Sequence, residues 1–317
     1  ARADTTLSEL CDLYLEEGVG HKRESTVEID RGRIERHIKP LLGSKPVRQI
    51  TQRDVQRMFN DIKRGKTAVK VKSGKKRGLA RVSGGEGTAR RAVGLLGGIF
   101  SFAIKQGMRP DNPAHGIDKG RDVRRERFLT SEEIQRLTKT MNAMEKAKEL
   151  HPYSVAIVRL LLFTGARRGE ITNARWEDVD LERGVLVVPK GKTGRRNIRL
   201  AAPAQQILSD LPRASDWVFP ARSGDKPFQG LPKQWRELRV QAKLDGLRIH
   251  DLRHTFASMA VQGGASLYLV QNLLGHSDAS MTQRYAHLAD DPVSAANDAV
   301  AKRVADLFEY TEKASSE

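Results

Sequence analysis

The chain has 317 residues, 38% hydrophobic and 30% charged, with 56 Lys and Arg against 39 Asp and Glu for a net charge of +17. That length exceeds a comfortable single core, so two domains are expected, and no apolar run approaches the roughly 20 residues of a membrane helix. The opening ARADTTLSEL lacks the apolar core and cleavage site of a signal peptide, and the single cysteine, Cys11, excludes an internal disulfide or a cysteine-built metal site and fits a reducing cytoplasm.

In chain order, the start at Ala1 rather than Met suggests that upstream residues were removed. Helical periodicity then appears three times: at Leu7, Leu10 and Tyr14; at Val55, Met58, Phe59 and Ile62 behind a Thr51 cap; and at Val93, Leu96, Ile99, Phe100, Ala103 and Ile104 behind Thr88, stopping at Gly107. These predict a small helical bundle over residues 1–117. Between its last two helices lies a cationic stripe, residues 63–91, with 11 basic residues against Glu86 alone. Alternating Val69 and Val71 with several glycines predict a short hairpin or loop there. Residues 1–125 hold 28 basic and 15 acidic residues, so most of the net charge sits in this part of the chain. Such a stripe favours a polyanion, each phosphate contact releasing counterions. Lys70, Lys72, Lys75, Lys76, Arg77, Arg81, Arg90 and Arg91 are the candidate contacts to a DNA backbone, a solvated loop being the plain alternative. Without interleaved Trp or Phe the stripe does not suit a membrane surface.

The run IDKGRDVRRER predicts an extended linker over 118–128, and a second unit over 129–317 opens with a capping box, Thr130 to Glu133, ahead of Ile134, Leu137 and Met141. YSVAIVRLLLFTGARRGEI is apolar up to Phe163, breaks at Thr164 and Gly165, and sets Arg167 and Glu170 in a new turn. An arginine at the edge of a buried helix needs a pairing carboxylate or a bound anion. GVLVVPKGKTGRRNIRL reads as a hairpin with Lys192 at its tip, where a solvated lysine is the ordinary reading. RIHDLRHTFASMA places His250 and Arg253 three apart on one helical face, with Leu252, Phe256 and Met259 supplying packing. His276 follows a helix stop at Gly275, and Tyr285 sits on the helix after it.

Singly these are weak signals. Together Arg167, Lys192, His250, Arg253, His276 and Tyr285 suit phosphoryl transfer to a tyrosine. Two guanidiniums grip non-bridging phosphate oxygens and stabilise the charge of the transition state. A lysine protonates a leaving alkoxide, histidines donate hydrogen bonds or move protons, and tyrosine forms a phosphoester. The arginines then supply the charge that a magnesium ion supplies elsewhere, and acidic clusters of the two-metal kind are not obvious.

With these motifs in order, the sequence resembles the tyrosine recombinase, or phage integrase, family. TGARRGE is similar to its first arginine motif, the Lys192 hairpin to its lysine turn, HDLRH to its His-x-x-Arg box, and LLGH followed by Tyr285 to its closing motif. The intervals of 23 residues from Arg253 to His276 and nine from there to Tyr285 match as well. The resemblance implies a mainly α fold with a small β-sheet: a helical, SAM-like core-binding domain ahead of a mixed α/β catalytic domain, with double-stranded DNA clamped between them. It implies that Tyr285 attacks a scissile phosphate to give a 3′-phosphotyrosine and a free 5′-hydroxyl, with no ATP, metal or other cofactor. Arg167 and Arg253 would be the phosphate clamp, Lys192 the general acid, His250 an acid/base or hydrogen-bonding partner and His276 a transition-state donor. Glu170 would support Arg167, and His254 would be a packing residue or one that supports a site residue. A type IB topoisomerase and a catalytically silent DNA-binding regulator are the alternatives.

At the end of the chain, Asp291 as cap, Pro292 at the first helical position and Val293, Ala296, Val300, Val304 and Leu307 on one face predict a helix over about 292–311. The periodicity alone allows it to pack on its own domain. The resemblance implies docking on a neighbouring protomer, with a monomer in solution becoming a homo-tetramer on paired sites, accessory DNA-bending or directionality proteins, and a place at the nucleoid in the cytoplasm.

Overall fold

A computed structural model describes residues 5–72, 79–120, 127–191, 194–288, 297 and 300–306. The chain divides into two units, residues 1–123 and 124–317.

In the first unit, α1 (Leu7–Glu17) opens with a capping box in which the Thr6 side chain accepts from the Glu9 N–H and the Glu9 carboxylate accepts from the Thr6 N–H. Helix α2 (Glu24–Arg33) passes through a π-turn at Ile34–Ile38 into α3 (Lys39–Leu42). Helix α4 (Gln52–Lys63) repeats the capping box with Thr51 and Asp54, as the Thr51 reading anticipates. The long α5 (Glu86–Lys105) begins earlier than its periodicity suggests. Gly85, at φ +97°, makes the turn into the helix, so Thr88 lies inside it and donates to the Ser83 carbonyl instead of capping. Leu10, Ile38, Met58, Ile99 and Phe100 meet in one core. Between α4 and α5, β1 (Val69–Lys72) and β2 (Leu79–Val82) form an antiparallel hairpin with Val69 opposite Val82. Lys75, Lys76 and Arg77 lie outside the described residues.

The second unit opens with α6 (Ser131–Lys146), capped by Thr130 and Glu133 as expected. Helix α7 (Pro152–Thr164) is buried on nearly every side, which is why its sequence is apolar without a clear period. After α8 (Arg168–Thr172) comes an antiparallel sheet of β3 (Val179–Asp180), β4 (Val185–Gly191) and β5 (Gly194–Arg199) in that order. Helices α9 (Ala202–Ser209) and α10 (Leu231–Gln241) precede the site-bearing α11 (Asp251–Gln262), α12 (Leu267–Leu274) and α13 (Ser280–Gln283). Leu137, Ile157, Leu161, Phe219 and Leu252 belong to the main core, and Ala257, Val261, Val270, Leu274 and Tyr285 to a smaller one.

Two residues sit differently from their sequence expectation. Met259 is 54% exposed and so contributes little packing. Tyr285 follows α13, which ends at Gln283, and occupies the turn before a short helical stretch at Ala286–Leu288. Residues 300–306 are helical, while Asp291, Pro292, Val293, Ala296 and Leu307 lie outside the described residues.

Candidate active site

Two helix ends build the site. Helix α7 stops at Gly165 and α12 at Gly275, both glycines left-handed at φ +60° and +63°. A helix C-terminus carries unpaired carbonyls and the negative end of the macrodipole, so it attracts cations. Arg253, on α11, joins the two ends: Nη1 donates to the Gly165 carbonyl and Nη2 to that of Leu274, both at 2.6 Å. Arg167 stands at the N-cap position of α8; its Nη1 donates to Glu170 Oε1 at 2.9 Å and its Nη2 to the Gly275 carbonyl at 3.3 Å. The expected Arg167–Glu170 ion pair is therefore present, and it orients the arginine rather than consuming both of its faces.

His250 stands at the N-terminal cap of α11. The next residue, Asp251, is fully buried and takes Arg248 bidentately, with Nη2 to Oδ1 at 2.6 Å. Thr255 ties the same helix to the Leu129 N–H. His276, released by the Gly275 turn, bonds Thr282 Oγ1 through Nδ1 at 2.8 Å. Tyr285 is only 4% exposed and its Oη lies 2.6 Å from His254 Nδ1. Arg167, His250, Arg253, His276 and Tyr285 line one open cavity of about 680 Å³. Five of the six residues picked out by motif thus come together; Lys192 lies outside the described residues.

The electrostatics of this cavity are those of an anion site. Burial, then the nearby Arg167 and Arg196, pull the Arg253 guanidinium down to about 10. His276 is lowered to about 4 by burial and by Arg253, Arg167 and Arg196, and His254 to about 4 chiefly by burial. His250 is lowered by burial and by Arg253. Among the described residues no three His, Cys, Asp or Glu side chains gather as cation ligands.

Arg196, on β5, is outside the sequence motifs. Its side chain is 9% exposed, its Nη1 donates to the same Leu274 carbonyl as Arg253, and its Nη2 is 3.6 Å from Glu170 Oε2. Strand alternation was the available signal: Arg196 shares a face with Ile198, which is 1% exposed. His254, expected to pack or to support a site residue, bonds the Tyr285 hydroxyl.

In the first unit, Lys70, Lys72 and Arg81 lie on the β1–β2 hairpin and Arg91 is exposed on α5. Arg90 pairs with Glu86, which also meets Lys63 at 3.0 Å.

Two family descriptions match the chain: the phage integrase family over residues 127–291 and the phage integrase N-terminal SAM-like domain over residues 6–63. A shufflon-specific DNA recombinase of Escherichia coli is 32% identical over 206 residues, 63% of this chain and 51% of that protein, so the chain spans about half of that relative. The tyrosine recombinase XerA of Saccharolobus solfataricus is 30% identical over 222 residues, 67% of this chain and 69% of its own length. The fold is shared with a lambda integrase tetramer bound to a Holliday junction, at a TM-score of 0.67 and 20% identity over 88% of this chain and 80% of that one. With the catalytic family description alone covering over half of its 317 residues, the chain belongs to the phage integrase family of tyrosine recombinases.

Proposed function

We propose that this chain is a site-specific DNA recombinase that cleaves and rejoins duplex DNA through a 3′-phosphotyrosine at Tyr285, integrating or excising a mobile element. The observation that carries this reading is the cavity in which Tyr285 meets two arginines held by helix-end carbonyls. Arg167 and Arg253 hold the scissile phosphate and offset the charge of its transition state, His276 donates to a non-bridging oxygen, and His250 stands beside them. Lys192 protonates the leaving 5′-oxygen. Residues 1–117 act as the core-binding domain and 118–128 as the linker to the catalytic residues 129–317. The basic stretch contacts the DNA backbone through Lys70, Lys72, Lys75, Lys76, Arg77, Arg81 and Arg91, while Arg90 braces Glu86. The chain is a monomer in solution, assembles as a tetramer on paired sites, works with accessory proteins and acts at the nucleoid.

A nicked suicide duplex built from the sequence flanking the chain's own gene tests the reading. The unaltered chain is expected to form a covalent adduct, with excess chelator present or absent. Tyr285→Phe is expected to form none while binding the duplex within about twofold, since phosphate contacts dominate affinity. An adduct from the Phe variant would remove Tyr285 as nucleophile, and loss of cleavage in EDTA would point to a metal.

A further inference from the structure

We propose that His254 is the general base that takes the proton of Tyr285, an inference that rests on the phosphotyrosine reading. A phenol is a poor nucleophile while protonated, its ordinary pKa being about 10, so an attacking tyrosine needs a partner within hydrogen-bond reach of its oxygen. His254 Nδ1 lies 2.6 Å from Tyr285 Oη, with both side chains buried. The geometry holds the ring in place: His254 lies one turn along α11 from His250, whose ring it meets edge-on at 5.1 Å. His276 directs its Nδ1 to Thr282 Oγ1.

The surroundings keep the imidazole neutral. His250 and Asp251 on its own helix, Arg248 just before it, Arg284, Tyr285 and His287 from the closing segment and Arg127 ahead of α6 are the titratable and charged groups around it. Burial first, then His250, Arg284 and Arg248 against Asp251, lower its pKa to about 4, so it is neutral at physiological pH and takes the proton only as the forming Oη–P bond acidifies the phenol. With the proton on Nε2, Nδ1 accepts from Oη. As the Oη–P bond forms and the P–O5′ bond breaks, the Oη proton passes to Nδ1, and O5′ takes its proton from a separate acid, the part proposed for Lys192. In rejoining, His254 returns its proton to Oη as the P–Oη bond breaks.

The test is single-turnover adduct formation on the nicked duplex by His254→Asn, whose amide keeps a polar atom near the Nδ1 position without its basicity. The expected result is a rate about 100-fold lower, with duplex binding and melting unchanged, rising about tenfold per pH unit between roughly pH 6 and 9 as phenolate forms unaided. The defect should persist on a 5′-bridging phosphorothiolate duplex, whose sulfur leaves without a proton, and should be restored by 3,5-difluorotyrosine at position 285. A variant that cleaves at the unaltered rate, or one that folds and binds yet is not restored by the acidic phenol, overturns the proposal. Should the Asn variant fail to fold, the unaltered chain on the phosphorothiolate duplex decides: a solvent deuterium isotope effect that difluorotyrosine abolishes supports the base, and its absence overturns it. No adduct from the unaltered chain at all would instead overturn the phosphotyrosine reading, a distinct result.

Discussion

An arginine as deeply placed as Arg253 is costly until an anion reaches it. Two guanidiniums, Arg167 and Arg196, pair with one carboxylate, Glu170, and the pKa of Arg253 beside them is lowered first by burial and then by repulsion from those two arginines. In the proposed reaction the scissile phosphate relieves that repulsion, and most strongly in the transition state, where its charge is greatest. Arg253→Ala and Arg167→Ala are expected to lower adduct formation by roughly 100-fold or more each, and normal rates in either would remove the clamp. Arg196 acts through its neighbours: Arg196→Lys should cleave faster than Arg196→Ala, because an ammonium keeps the charge while losing the two-sided reach to Leu274 and Glu170. The two histidines also make stability depend on pH. Unfolded, His254 and His276 take up protons near 6.5, whereas the folded forms wait until about 4. The unfolded state therefore binds more protons between those values, so their contribution is full above 6.5 and is lost as pH falls toward 4. The urea midpoint should drop across that window, and by less in a chain carrying His254→Asn.

The glycine-terminated helices explain why the motifs have the letters they have. At Gly275 an added Cβ would collide with Arg196 Nη1, on a backbone already at φ +63°. Gly275→Ala is therefore expected to push Arg196 aside, disturb the carbonyls that hold Arg253 and Arg167, and reduce both melting temperature and cleavage; calorimetry and adduct assays at equal duplex occupancy check this. Thr51 and Thr130 are legible in the sequence as helix starts because a cap is a local hydrogen bond, and Thr6 caps α1 in the same way. Thr88 misleads because a flexible glycine pair precedes α5 and the helix starts there instead. The arginines and histidines of the cavity are readable through their motifs. Arg196 and the hydroxyl bond of His254 are not, since what matters for them is which carbonyl or hydroxyl arrives from another element, Leu274 in one case and Tyr285 in the other. No spacing along the chain encodes those meetings.

Each unit has a core of its own, so DNA affinity and catalytic geometry can be altered separately. Neutralising Lys72, Lys75, Lys76 and Arg77 together is expected to weaken specific and non-specific binding by similar factors. It should also flatten the salt dependence by up to about 0.9 log units for each phosphate no longer neutralised. Unchanged affinity and slope would make the stripe a solvated loop. The proposed assembly concerns the other end of the chain. Residues 300–306 form an exposed helix, with Val300 63% and Val304 43% exposed, four residues apart and hence on one face. Apolar side chains repeated on one exposed face suit a partner surface, and the proposed tetramer supplies one in a neighbouring protomer. Val300→Lys combined with Val304→Lys should leave folding intact, because neither side chain is buried in its own chain. The double variant is expected to bind a single site and form the adduct at the unaltered rate, yet to fail in pairing two sites and in exchanging strands, as read by gel mobility and by recombinant product. Full recombination by this variant would show that the helix does not connect protomers, and a lowered melting temperature would show that it packs on its own domain instead.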